Sequence, residues 1–157
     1  MIRNVVRVFL VAFLVLPLTS CGKARANPLL YGTWEIREKG KQCTVEFTKD
    51  GKVRLSGSTS LLRDFQFAKL LADFDMQPAA NTPITCKAVG EKELEIEGDF
   101  SALLGPLSSG AGDVSPEKLK NAQEMLHPQE RVTYAVAEKE LTLTSSTGKA
   151  ITLKRME

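Results

Sequence analysis

The sequence predicts a mainly β fold, a small antiparallel β-barrel or a curved meander sheet with two short helical insertions. Three observations support this prediction. Apolar and polar residues alternate in roughly seven short runs between residues 34 and 153, which is typical of strands with one buried face. Clusters of turn-forming residues separate these runs. The segments 58–75 and 115–126 instead carry apolar residues at helical spacing.

The first twenty residues have the layout of a signal peptide. Arg3 and Arg7 make the start positive, and no charged residue occurs from Val8 to Ser20. The apolar stretch from Val8 to Leu16 is shorter than the ~20 residues that a membrane-spanning helix needs. We therefore expect residues 1–20 to be a secretory signal that is removed.

The run Leu18-Thr19-Ser20-Cys21-Gly22 follows this stretch directly. It resembles the lipobox of bacterial lipoproteins, in which Leu and two small residues precede a Cys that receives lipid. The resemblance implies cleavage before Cys21, a diacylglyceryl thioether and acyl chains such as palmitate at Cys21, and the membrane as a partner. Gly rather than Asp after the Cys is similar to the outer-membrane pattern of Gram-negative lipoproteins. The alternatives are an ordinary signal peptide with a chance Cys and a short transmembrane start.

The remaining chain, residues 21–157, has the length of one domain. Residues 21–28 are small, basic and polar without apolar periodicity, so we predict a lipidated tether there and a single β domain over 29–157. The whole chain has 21 Lys plus Arg against 19 Asp plus Glu. This balance gives no indication of nucleic-acid binding. The expected location is the bacterial cell envelope, on the periplasmic or surface face of the outer membrane.

The strands are predicted from period-two alternation. The expected inward-facing pairs at the start are Trp34 and Ile36, Val45 and Phe47, and Val53 and Leu55. The segment 49–52, Lys-Asp-Gly-Lys, is typical of a hairpin turn. Strands are expected over 84–89 and 93–97, and a three-strand meander follows from residue 131 to residue 153.

Each helical insertion has its own signal. In 58–75, the residues expected on one apolar arc are Leu61, Phe65, Ala68, Leu71 and Phe74, with Asp64 intruding among them. This arc could dock a partner or the membrane surface, or more simply cap the barrel mouth. In 115–126, Ser115 is placed as the N-cap and Pro116 at the first helical position.

Two cysteines remain after lipidation, Cys43 and Cys86. Export would place them in an oxidising compartment, where an even pair usually forms a bridge, so we predict a disulfide between them. Two buried free thiols are the alternative.

The segment 30–35, Leu-Tyr-Gly-Thr-Trp-Glu, resembles the opening Gly-x-Trp strand of lipocalin-like domains. The segments 45–53 and 134–155 are similar to the second, third and closing strands of that family, and small envelope proteins of the META type share the early pattern. The resemblance implies a lipocalin-like barrel with a ligand cup. The residues expected to line that cup are Trp34, Phe47, Val53, Tyr134 and Leu143. For Trp34, a purely structural place in the core is the alternative.

Residues suited to catalysis are few. The only His, His127, has no Cys, Asp or second His at ligand spacing, so we expect no metal and no cofactor. It fits a helix end, where a cation complements the dipole. Asp64, Asp73 and Asp75 form the nearest approach to a carboxylate cluster, yet on a helix they are more simply solvated charges. No catalytic residues and no enzyme activity are therefore expected.

Two functions from different classes follow. The first is a membrane-anchored, non-enzymatic lipoprotein of the envelope that binds a small apolar or amphipathic ligand. The alternative is a protein-interaction module, either an assembly accessory or an inhibitor of an envelope-directed enzyme, which would present an exposed apolar patch on an insertion. A hydrolase ranks last because the residues that it needs are missing.

Overall fold

The structure is a computed structural model that describes residues 25–77, 83–103 and 116–157. Eight antiparallel strands close into a barrel in which each strand pairs with the next and the last pairs with the first. The strands are β1 (Gly32–Glu38), β2 (Lys41–Phe47), β3 (Lys52–Gly57), β4 (Ile84–Ala88), β5 (Glu93–Gly98), β6 (Gln129–Val136), β7 (Glu140–Thr144) and β8 (Ala150–Arg155). The helices are α1 (Gln66–Asp73) and α2 (Pro116–Glu124). The predicted lipocalin-like barrel with two short helices is confirmed.

Alternation along the strands produces a single core inside the barrel. In β6, for example, Glu130, Val132 and Tyr134 are buried, and the residues between them are exposed. The hairpin between β2 and β3 turns at Gly51, whose φ of 80° favours glycine. Closure depends on a short ladder, in which Trp34 and Glu35 of β1 pair with β8.

The barrel has two different ends. At the helical end, the chain passes through the β1–β2 and β7–β8 turns and through the two helical insertions. At the N-terminal end lie residues 25–31, the β2–β3, β4–β5 and β6–β7 hairpins and the end of β8. The two ends are therefore covered by different segments, the helical insertions at one end and the N-terminal segment with three hairpins at the other.

The first insertion covers the helical end. It contains a 3₁₀ turn (Thr59–Leu62) and then α1, which buries Phe67, Leu70 and Leu71. Of the predicted apolar arc, Phe65, Ala68 and Leu71 are buried, whereas Leu61 and Phe74 are only half-buried. The chain breaks between the two helical pieces, so one continuous helical wheel does not describe them, and Asp64 lies exposed in the break. The simpler interpretation, a cap on the barrel mouth, agrees with this burial.

The second insertion begins its helix at Pro116, as predicted. The predicted N-cap Ser115 lies outside the described residues. Ala122 and Leu126 are buried in the core cluster, so this segment also packs on the barrel.

The predicted disulfide between Cys43 and Cys86 is wrong, since both are free thiols. Cys43 lies opposite Gly57 at one end of β3, whereas the Cys86 N–H donates to the carbonyl of Gly51 at the other end, at 2.7 Å. From Gly51 to Gly57 the chain advances about 20 Å. A disulfide joins Cα atoms no more than about 7 Å apart. Both side chains face inward, yet they lie at opposite ends of the barrel.

Removing the half-buried Cys86 thiol is therefore expected to change stability little. Cys86→Ser should lower the free energy of unfolding by less than about 1 kcal/mol, against the roughly 4 kcal/mol expected for loss of a bridge. Urea unfolding of non-reduced protein measures the difference. Mass spectrometry after alkylation in urea without reductant should find label on both Cys43 and Cys86, and unlabelled protein would show that the bridge exists.

Candidate functional site

An open cavity of about 780 Å³ lies at the N-terminal end of the barrel. Its lining combines apolar side chains with exposed charged residues of the N-terminal segment and the β2–β3 hairpin at its rim. The apolar and thiol residues are Ala26, Pro28, Leu30, Phe47, Cys86, Ala88 and Leu94. The charged residues are Arg25, Lys49 and Asp50. Such an arrangement suits a ligand with an apolar part inside and a polar part at the mouth.

The cavity exists because β4 extends beyond β3. The β3–β4 ladder contains only two residue pairs, Lys52 with Thr85 and Val53 with Ile84. From there β4 continues to Ala88, alongside β5 but past the start of β3. Past Gly51, whose carbonyl accepts from the Cys86 N–H, β4 pairs with β5, and its inward-facing residues Cys86 and Ala88 border the cavity.

Residues 25–31 form the opposite side of the cavity and are held by specific hydrogen bonds. The Tyr134 hydroxyl accepts from the backbone N–H of Asn27 at 2.8 Å and donates to the carbonyl of Glu91 at 3.2 Å. The Trp34 indole N–H donates to the carbonyl of Leu30 at 2.8 Å. A 3₁₀ turn (Pro28–Leu30) is thereby fixed across the barrel end.

Arg155, the last residue of β8, completes this closure. Its guanidinium carbon lies 4.4 Å from the centre of the Trp34 ring. The guanidinium also donates to the carbonyls of Leu29, Tyr31 and Glu138. Sequence reasoning missed this residue because no local pattern marks a single basic residue at the end of a strand.

Gly32 leaves room for that guanidinium. Its φ is 134°, which L side chains rarely adopt, and a Cβ placed there would lie 2.8 Å from Nη1 of Arg155. The Gly of the Gly-x-Trp pattern therefore permits the contact between Arg155 and Trp34.

All five residues predicted to line a ligand cup face inward. Phe47 lies in the wall of the cavity. The other four, Trp34, Val53, Tyr134 and Leu143, are buried in the core and do not line it. Trp34 thus takes the structural position that was its alternative, while Tyr134 acts through its hydroxyl on the N-terminal segment. The cavity residues from β4, β5 and residues 25–31 were not predicted.

Cys86 places a thiol in the cavity wall. Burial raises its pKa from 9.0 to about 12, and that of Cys43 to about 11, because the thiolate loses hydration. Both are therefore neutral thiols at physiological pH. The half-buried thiol of Cys86 provides a chemical probe of whether the cavity is occupied.

A smaller cavity of about 390 Å³ lies beside His127 at the helical end. Nδ1 of His127 is 3.6 Å from a carboxylate oxygen of Asp99. The pKa of Asp99 is lowered, chiefly because the Ser101 hydroxyl and N–H donate to its carboxylate. The hydroxyl of Ser101 therefore bonds to the carboxylate and not to the imidazole, which is unlike a nucleophile–base pair. Within residues 25–77, 83–103 and 116–157, no group of three potential metal ligands occurs.

The predicted lipid attachment residue, Cys21, lies outside the described residues. The predicted tether ends too late, because Ala26 packs against the core cluster and Asn27 is hydrogen-bonded to Tyr134. None of the helices in the described part has the length and apolar character needed to cross a membrane.

Comparison with known proteins found no match to this chain, whether among protein-family models, curated proteins or solved structures.

Proposed function

We propose that this chain is a membrane-anchored, non-enzymatic lipoprotein of the bacterial envelope that binds a small apolar or amphipathic ligand in the cavity at the N-terminal end. The observation that carries the proposal is the cavity itself. Its volume of about 780 Å³ falls within the usual range for small-molecule sites. The anchoring part of the proposal rests on the lipobox-like run that ends at Cys21 and Gly22.

The chemistry of the walls selects the ligand class. The cavity wall has uncharged side chains, of which Cys86 and Ala88 are half-buried and Phe47 and Leu94 are buried, so a polar group of the ligand placed there would lose its hydration. Arg25 and Lys49 at the rim can contact an anionic group that remains in water. A molecule with one hydrocarbon part and one polar or anionic end fits both regions.

The protein-interaction alternative depended on an exposed apolar face of an insertion. Phe67, Leu70 and Leu71 of α1 are turned into the barrel mouth and buried. The described part of this insertion therefore does not offer that surface, and the ligand-binding proposal has the stronger support.

Filling the cavity should weaken ligand binding. Ala88→Phe adds a ring to the cavity wall, and we expect at least about tenfold weaker binding of oleate, because an occupied apolar pocket cannot accept the chain. Ala135→Phe, on the exposed outer face of β6, is the matched control and should bind like the wild type. Titration calorimetry measures both affinities.

Occupancy of the same cavity can be read at Cys86. Oleate should slow alkylation of Cys86 by iodoacetamide in the wild type and in Ala135→Phe, measured at about pH 9 because the raised pKa leaves little reactive thiolate at neutral pH. Three results together would contradict ligand binding. Alkylation would be unchanged by oleate, calorimetry would show no heat of binding, and mass spectrometry would detect no lipid with the native protein.

A further inference from the structure

Two large hydrophobic side chains are exposed at the N-terminal end of the barrel. Among the side chains described in residues 25–77, 83–103, 116–117 and 120–157, the exposed large hydrophobic ones are Leu29, 40% exposed, and Met156, 41% exposed. Leu29 belongs to the 3₁₀ turn across this end, and Met156 directly follows β8.

Hydrogen bonds made by the end of β8 hold these two residues at the same end of the barrel. The guanidinium of Arg155, the residue before Met156, donates to the backbone carbonyl of Leu29. The N–H of Met156 donates to the carbonyl of Thr33 at 3.0 Å, which holds Met156 against the start of β1. Leu29 and Met156 together are called the apolar patch below.

The position of Cys21 in the sequence identifies what covers the patch. Residues 22–24 separate Cys21 from Arg25, and such a segment spans at most about 14 Å. Arg25 and Ala26 lie at the N-terminal end of the barrel, beside the cavity. A lipid on Cys21 would therefore hold this end, rather than the helical end, within that distance of the bilayer.

Charge does not oppose this orientation. Each hairpin at the N-terminal end has a lysine next to a carboxylate: Lys49 and Asp50, Lys92 and Glu91, and Lys139 and Glu138. The three pairs cancel in net charge, and so do Arg155 and Glu157 on either side of Met156, so a zwitterionic membrane surface neither attracts nor repels this end strongly. Apolar contact then decides the orientation.

We infer that the N-terminal end of the barrel is a membrane-docking surface, with Leu29 and Met156 inserted into the interface of the bilayer to which Cys21 is anchored. This inference rests on the lipid anchor of the proposed function. The docked orientation places the rim of the cavity at the level of the lipid headgroups, so that a ligand can pass between the bilayer and the cavity without crossing water.

The methionines of the chain allow a direct test. Met156 lies in the patch, whereas Met76 follows α1 at the helical end and is half-buried. The full-length lipidated protein is reconstituted into phosphatidylcholine vesicles, separated by flotation and treated briefly with hydrogen peroxide. Mass spectrometry then measures sulfoxide at each Met.

Without docking, Met156 should oxidise at least as fast as Met76, because its side chain is the more exposed. With docking, we expect Met156 to oxidise at less than about one third of the rate of Met76, since the bilayer shields its sulfur. The variant Leu29→Glu should restore the oxidation of Met156, because a carboxylate in the patch opposes insertion. The control Gln77→Glu, at the helical end, should leave Met156 protected.

The outcomes separate the two proposals. Protein that floats with the vesicles while Met156 oxidises freely would overturn the docking surface and leave the anchor intact. Protein that does not float would remove the anchor and the docking together. Protection of Met156 in intact cells but not in vesicles would assign the patch to a protein partner and overturn the inference.

Discussion

Replacing Glu130 by Ala is expected to lower the free energy of unfolding by about 3 kcal/mol, because three donors at the helical end would lose their buried acceptor. The Glu130 side chain is only 3% exposed and points inward from β6. Its carboxylate accepts from the N–H of Gln66 at 2.6 Å and from the N–H and hydroxyl of Ser146 at 3.1 and 3.0 Å.

The bond to Gln66 has particular importance for α1. This helix begins after Phe65, which cannot cap it, and no side chain of the N-cap residue bonds to the first turn. Glu130 therefore supplies, from another strand, the anionic cap that a local Asp or Ser usually provides. The same carboxylate fixes the β7–β8 turn, so one residue joins two connections at this end.

Urea unfolding followed by circular dichroism measures the effect. Glu130→Gln keeps one carbonyl acceptor and should lose about half as much stability, because the amide nitrogen cannot accept the second set of bonds. Glu97→Ala, an exposed carboxylate on neighbouring β5 that bonds to the Gln129 side chain, is the control and should change stability by less than about 0.5 kcal/mol. Equal stability of the Glu130→Ala and Glu97→Ala variants would contradict the role of Glu130.

Replacing Arg155 by Ala is expected to release the segment 25–31 from the N-terminal end and to lower the free energy of unfolding by about 2 to 3 kcal/mol. The variant loses the contact with Trp34 and the hydrogen bonds to the carbonyls of Leu29, Tyr31 and Glu138. Since that segment forms one side of the cavity, binding of oleate should weaken together with stability.

Two readouts distinguish this local release from general destabilisation. The fluorescence of Trp34 should shift to longer wavelength as its ring becomes exposed, and backbone amide exchange should accelerate at Asn27 and Leu30 more than in β6. Arg155→Lys keeps the charge but not the planar set of donors, so it should be intermediate. Arg131→Ala, an exposed arginine on β6, is the control. Unchanged exchange at Asn27 in Arg155→Ala would contradict the closure role of Arg155.

The identity and facing of the strands could be predicted from the sequence because they depend on local periodicity. Val132 and Tyr134 share one face of β6 because side chains alternate along any strand. Gly51 supplies the positive φ that its hairpin needs. Pro116 likewise marks the start of its helix without reference to neighbours. The signal layout and the lipobox-like run around Cys21 are also properties of the linear sequence.

The separation of Cys43 and Cys86 was decided by the tertiary structure. Period-two alternation can assign a thiol such as that of Cys43 to the inward face, but it carries no information about its position along the barrel axis. That position depends on the register of β2 and β4 against β3, which is set by the whole ladder. An even number of exported cysteines therefore predicted a bridge that the register does not allow.

The candidate site, like the cysteine separation, depended on contacts distant in sequence. The cavity arises where β4 extends past β3. The segment 25–31, which forms one side of it, is held by Tyr134 and Arg155 from the far end of the chain. The residues in each of these contacts are more than a hundred positions apart. Local patterns record which face a residue prefers, whereas the closure of eight strands decides which residues meet and where space is left between them.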